Sequence, residues 1–135
     1  MSYSYALETA GAIVHVFSKF GSYQGDWWAK VTWNGKKGWV HGYYGSCSGC
    51  DALEGEFGCD IHKCGDNDWY DPVYDGSFRD DCALCLATKE RFAEFGRGYL
   101  DDLLTQEGAE AEAAKHLDWD FDAKEMVEFI QANRL

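Results

Sequence analysis

The six cysteines of this 135-residue chain fall into three close pairs, and this spacing constrains the fold more than any other feature. The pairs are Cys47-Ser-Gly-Cys50, Cys59-Asp-Ile-His-Lys-Cys64 and Cys82-Ala-Leu-Cys85. The first residues lack the basic and apolar regions of a secretory signal, so we expect a cytoplasmic protein. In a reducing compartment, such pairs favour metal binding or redox chemistry over structural disulfides.

Two of these pairs are spaced to form a structural zinc site. Zinc takes four thiolate or imidazole ligands in a tetrahedron, often from two C-x-x-C pairs. One assignment joins Cys47 and Cys50, which follow a predicted strand, to Cys82 and Cys85 at the start of a predicted helix. This set is typical of a treble-clef zinc site, although there the turn pair precedes the hairpin. The sequence therefore predicts a zinc-stabilised fold.

Other uses of the cysteines stay open. A local zinc site would take Cys47, Cys50, Cys59 and Cys64, with His62 in reserve as an alternative ligand. All three pairs could instead form one metal site and one disulfide. The remaining interpretation is disulfides, redox cysteines or buried thiols. Thioredoxin-like chemistry is disfavoured, because no βαβ pattern surrounds Cys82.

The rest of the pattern predicts one α+β domain over residues 1–135. Residues 12–45 combine β-branched and aromatic residues and predict a three-stranded antiparallel meander, with Asn34-Gly35 as the turn of its second hairpin. Residues 46–79 are rich in Cys, Asp and Gly and predict a loop region. Residues 80–135 are predicted to be helical.

Three helices are predicted in that last region. Asp80 or Asp81 is expected to cap the first, and the glycines Gly96 and Gly98 indicate close packing against the sheet. A short second helix is expected over 109–116. A third is expected to start at Asp122, paired with Glu125 in a capping box. Its apolar face would be Met126, Val127 and Ile130.

The charge of the chain is negative and unevenly distributed. The net charge is −12, with +2 over residues 1–46 and −14 over residues 47–135. This disfavours direct binding to nucleic acid, because neutralising phosphates dominates that affinity. It favours a partner protein with a basic surface. No apolar run is long enough to predict a membrane span.

A group of aspartates is the predicted partner-binding surface and would mimic phosphates. Its members are Asp66, Asp68, Asp71, Asp75, Asp80 and Asp81. A calcium site is an alternative, but the segment fails the EF-hand pattern. The simplest alternative is a solvated acidic loop.

A second class of function would use the strand aromatics to stack single-stranded nucleic acid. The rings are Trp27, Trp28, Trp33, Trp39, Tyr43 and Tyr44, and the nearby cations are Lys30, Lys36 and Lys37. Adjacent Trp27 and Trp28 point to opposite faces of a strand, so at least one ring is expected in the core.

A third class is a small metal- or thiol-dependent enzyme using His62 with the cysteines. The strand histidines His15 and His41 could act with Asp26 or Cys47 in acid–base chemistry. Hydrogen-bonded strand histidines are the simpler interpretation.

Residues 21–28 (GSYQGDWW) and 44–54 (YGSCSGCDALE) resemble a family of small bacteriophage-type proteins with no assigned activity. The resemblance implies a phage or mobile-element origin and, with it, the host cytoplasm. It implies no catalytic residue. Small acidic phage proteins often bind host defence or transcription proteins. We therefore expect a non-enzymatic acidic protein-binding module that inhibits a host nucleic-acid-binding or defence protein.

Overall fold

A computed structural model describes residues 3–45, 51–53, 81–115, 117 and 121–135. The described strands are β1 (Ile13–Gly21), β2 (Gly25–Trp33) and β3 (Lys36–Tyr44). The described helices are α1 (Tyr3–Thr9), α2 (Ala83–Leu100), α3 (Gln106–Ala114) and α4 (Phe121–Ala132). The predicted α+β class is confirmed. Within the described residues, no helix is long and apolar enough to cross a membrane.

The three strands form the antiparallel meander that the sequence predicts, in the order β1-β2-β3. Asn34 and Gly35 have φ values of 52° and 79°, the left-handed conformation that a two-residue hairpin turn requires. The ladder between β1 and β2 extends to the pair of Gly21 and Gly25. The first hairpin therefore turns within only three residues, 22–24.

An irregularity in β1 changes which face its side chains point to. Val14 pairs with Val31 and Val16 pairs with Lys30, so His15 is an extra residue on β1. Such a bulge breaks the alternation of side chains along a strand. Consequently Val14 packs against one core and Val16 against the other.

Both faces of the sheet are covered by helices, which gives two cores. The first core contains Trp27, Ala29 and Val31 of β2 and the α1 and α2 residues Leu7 and Phe92. Since side chains alternate along a strand, the neighbouring residues of β2 face the other way.

The second core lies on the opposite face, under α3 and α4. It contains Trp28 and Trp39 of the sheet with Ala109, Met126 and Ile130 of the helices. The predicted apolar face of the last helix is confirmed, since Met126 and Ile130 are buried and the half-buried Val127 packs against them.

Helix α1 was not predicted, and it explains one glycine of α2. A Cβ at Gly96 would lie 2.1 Å from the carbonyl oxygen of Ala6, whereas one at Gly98 would meet nothing within 4 Å. The predicted packing of these glycines against the sheet is therefore wrong. Gly96 allows α1 to approach α2, and Gly98 has no packing role among the described residues.

The helix starts also differ from the predictions. The N-cap of α2 is Cys82, which makes no side-chain capping bond, so Asp81 lies outside the cap, and Asp80 lies outside the described residues. α3 begins at Gln106 rather than 109, because the Thr105 hydroxyl accepts a bond from the Gly108 N–H at 3.0 Å. α4 begins at Phe121, which places Asp122 in its first turn rather than at the cap.

A buried glutamine ties α3 to the sheet and to the C-terminal residues. The Gln106 side-chain oxygen accepts bonds from Trp39 Nε1 at 3.0 Å and from the Leu135 N–H at 3.2 Å. Its side-chain nitrogen donates to the Ile130 carbonyl at 3.1 Å. Next to it, Trp39 and Leu104 exchange two backbone bonds of 2.9 Å, which pair the outer edge of β3 at that point.

Candidate functional site

Only one of the three cysteine pairs lies among the described residues. Cys82 is the N-cap of α2 and is partly buried, and Cys85 in the first turn is fully buried in the first core. The other candidate ligands lie outside the described residues: Cys47, Cys50, Cys59, His62 and Cys64. Across the described part of the chain, no group of three or more His, Cys, Asp or Glu residues is placed to hold a metal. Each zinc assignment therefore stays a prediction.

Gly45 and Asp51 lie on either side of the first cysteine pair in the sequence, and they are hydrogen-bonded to each other and, through Asp51, to α1. The Asp51 carboxylate accepts bonds from the Gly45 N–H at 2.9 Å and from the Tyr3 hydroxyl at 2.7 Å. The Tyr3 oxygen also accepts a bond from the Leu53 N–H at 3.3 Å. Burial raises the pKa of Tyr3, and the hydrogen bond to Asp51 raises it further.

This connection was missed from the sequence. A helical signal was present, since Tyr3, Ala6, Leu7 and Ala10 follow the spacing of one helix face. A seven-residue helix is marginal in isolation. It forms here because Tyr3, Ala6 and Leu7 are buried against the sheet and α2.

Of the six predicted partner-binding aspartates, the structure describes Asp81 alone, and it is exposed. The described carboxylates are instead concentrated where α2 ends and α3 begins. We call Asp101, Asp102, Glu107 and Glu110 the acidic corner. Three of them are exposed and Glu110 is half-buried. None forms an ion pair with another described residue.

The strand aromatics are mostly core residues. Trp27, Trp28 and Trp39 are fully buried and Tyr44 is buried, while Trp33 is half-buried. Tyr43 is the exception, with 64% of its surface exposed. Most of the predicted stacking rings therefore cannot reach a nucleic acid in this fold.

The two strand histidines have different environments. His15 is exposed, and its Nε2 lies 2.7 Å from the Thr32 hydroxyl. The His41 Nε2 lies 2.5 Å from Asp26 Oδ2, and both side chains are largely buried. The possible pairing of His41 with Asp26 is thus observed, as a contact between neighbouring strands.

Around His41 the rings are closely packed. Its ring stacks on Trp28 with centroids 4.4 Å apart, and it meets Tyr43 edge-to-face at 4.9 Å. Asp26 is the direct cross-strand partner of Tyr43. The arrangement holds an exposed tyrosine ring beside a carboxylate at the open end of the second face.

No protein-family model, no curated protein and no solved structure matches this chain.

Proposed function

We propose that this protein is a non-enzymatic acidic module that binds a basic protein of its host and covers the nucleic-acid-binding surface of that protein. The observation that carries the proposal is the acidic corner. Its four carboxylates lie within residues 101–110 and have no ion-pair partner in the described structure. No basic residue occurs between Arg97 and Lys115. A partner with lysine or arginine side chains would supply the missing counter-charges.

We propose the acidic corner as a contact surface in addition to the predicted aspartates. The predicted aspartates from Asp66 to Asp80 lie outside the described residues, and their contact with the partner stays a prediction. The phage origin and the location in the host cytoplasm also stay predictions. Unpaired surface carboxylates cost little while solvated, and they speed the encounter with a basic partner. The corner is therefore suited to a complex that forms fast and weakens with salt.

Direct nucleic-acid binding is the weaker alternative. Its platform requires several exposed rings, but the three tryptophans Trp27, Trp28 and Trp39 are fully buried. The net charge of −12 would also repel phosphates. An enzyme that uses Cys85 as nucleophile is disfavoured too, because a reactive thiol needs access to solvent.

We also propose a structural zinc ion bound by Cys47, Cys50, Cys82 and Cys85. Its support is that Leu53, three residues after Cys50, packs in the same core as Cys85. Metal analysis of Cys82→Ser and Cys59→Ser separates the two assignments. This assignment expects zinc to be lost only from Cys82→Ser, whereas the local site expects the reverse. Zinc in neither variant nor wild type would remove both.

The main proposal is tested by capture from a bacterial lysate on the immobilised protein. We expect the wild type to retain a nucleic-acid-binding protein that salt or added duplex DNA releases. A corner variant carries Asp101→Asn, Asp102→Asn, Glu107→Gln and Glu110→Gln, and it should retain several-fold less.

The control neutralises the same number of exposed carboxylates elsewhere. It carries Glu8→Gln, Glu94→Gln, Glu125→Gln and Glu128→Gln. Capture by this control should match the wild type more closely than capture by the corner variant. Equal loss in both variants would indicate non-specific charge, and retention unaffected by duplex DNA would contradict the proposal.

A further inference from the structure

Tyr43 exposes a large aromatic surface, and its ring is held in place by contact with His41. Its exposed ring contacts the edge of His41, which stacks on the fully buried Trp28. The bond of 2.5 Å between His41 and Asp26 prevents the imidazole from turning away. A ring supported in this way loses little conformational entropy when a ligand covers it.

Carboxylates of two elements, β2 and α3, lie near this ring. Asp26 is opposite Tyr43 in the ladder between β2 and β3. The second is Glu112 of α3, the helix whose first residue, Gln106, bonds to Trp39 on β3.

The electrostatic environment of Tyr43 agrees with this placement. Burial raises the pKa of Tyr43, the carboxylates of Asp26 and Glu112 raise it further, and Lys115 lowers it. Lys115 lies 2.6 Å from Glu112, so a cation of the chain itself already lies in this negative field.

We propose that the Tyr43 ring, with the carboxylates of Asp26 and Glu112 beside it, binds an arginine side chain of the basic partner. The inference rests on the proposed function, since it names one contact of that interface. Guanidinium groups stack on aromatic rings and bond to carboxylates through a planar fork. Asp26 bonds His41 through one carboxylate oxygen and Glu112 bonds Lys115 through one, and within the described residues the other oxygen of each has no bond.

Lys115 competes with that arginine for Glu112. Removing it should strengthen binding, beyond the gain expected from one lost positive charge. Lys124 is an exposed lysine on α4 and supplies the matched control. The difference between Lys115→Ala and Lys124→Ala isolates the local effect.

The test is calorimetric titration of the full chain with a peptide of nine arginines at low salt. Tyr43→Ala should weaken binding about two- to fivefold, the usual size of an exposed cation–π contact. Tyr43→Phe keeps the ring and should bind like the wild type. Tyr23→Ala removes the other highly exposed tyrosine and should change nothing. Circular dichroism checks that each variant is folded.

Two results would overturn the inference. One is equal affinity of Tyr43→Ala and wild type, and the other is an equal gain from Lys115→Ala and Lys124→Ala. Capture of the lysate protein separates this from the proposed function. If that capture depends on the corner but not on Tyr43, only the inference fails. If the arginine peptide needs Tyr43 but duplex DNA does not compete for the captured protein, only the proposed function fails.

Discussion

The two faces of the sheet are closed by different means. On the first face, the Trp27 ring packs against Tyr3, Phe17 and Tyr99 with centroids 5.1–5.5 Å apart. On the second face, the helices and the sheet are held together by apolar packing and also by polar contacts. These are the hydrogen bonds of the buried Gln106 and the bond between His41 and Asp26. The first face is a sealed core beside the cysteine pair of α2. The second opens at one end, and there the exposed Tyr43 lies among charged groups.

The difference between the two faces indicates which part of the molecule can carry a binding site. A sealed aromatic face tolerates little change, because close-packed interiors respond to single methyl groups. The open end of the second face exposes the Tyr43 ring, whose removal should hardly affect folding. Stability variants should therefore act mainly on the first face and on Gln106, and binding variants on Tyr43 and the acidic corner.

The largest stability effect is expected where α1 crosses α2. Gly96→Ala places a methyl group against the Ala6 backbone and should lower the free energy of unfolding by about 3 kcal/mol. Gly98→Ala lies on the same helix with open space around it and should stabilise by up to about 1 kcal/mol. Urea unfolding of both variants measures the difference. Similar values for the two would mean that the helices can move apart without cost.

A smaller loss is expected from the polar tie on the second face. Gln106→Ala leaves Trp39 Nε1 and the Leu135 N–H without their acceptor, and the Ile130 carbonyl keeps only its bond from the Asn133 N–H, which together should cost about 2 kcal/mol. Gln131 on α4 is exposed, so Gln131→Ala should change stability by less than about 0.5 kcal/mol. Thermal or urea unfolding compares them. A Gln106 variant as stable as the control would show that water replaces these bonds.

The smallest stability effect concerns the link from α1 to Asp51. Tyr3→Phe removes the hydroxyl that bonds Asp51 and Leu53, and we expect a loss of about 1 kcal/mol at neutral pH. Tyr23→Phe, at an exposed position, is the control and should be neutral.

The raised pKa of Tyr3 also predicts that the free energy of unfolding depends on pH. The pKa of Tyr3 in the folded state is raised above 10.0, its ordinary value. At a pH between 10.0 and the raised pKa, the unfolded chain has lost a proton that the folded chain keeps. Ionisation of Tyr3 should leave stability unchanged below about pH 10 and should lower it as the pH rises above that value. Tyr3→Phe should reduce that alkaline loss, measured by urea unfolding across the range. An unchanged slope would mean that other tyrosines dominate it.

Much of the sheet could be predicted because its signals are local. Asn34-Gly35 requires only that two successive residues adopt positive φ, and the β-branched and aromatic runs on either side define the strands. The apolar spacing of Met126 and Ile130 predicted α4 for the same reason. The helix starts were predicted less well, because Cys82 serves as N-cap without a side-chain bond and no sequence rule favours it there.

The candidate site was predicted only in part. Pairing of His41 with Asp26 was one of several options, and choosing it required the register of β2 against β3. The acidic corner was visible only as part of a long acidic region. Whether its carboxylates are paired depends on side chains brought from elsewhere in the chain.

By itself, the sequence determined the meander, its hairpin turn, the helical second half and the uneven charge, because these depend on neighbouring residues. The tertiary structure decided which tryptophans are buried, that α1 approaches Gly96, and that Gln106 joins α3 to Trp39 and Ile130. It also left Tyr43 exposed, opposite Asp26 in the ladder and close enough to Glu112 to be affected by its charge. These features depend on contacts between residues far apart in the chain, and the free energy of such contacts exists only once the elements have packed.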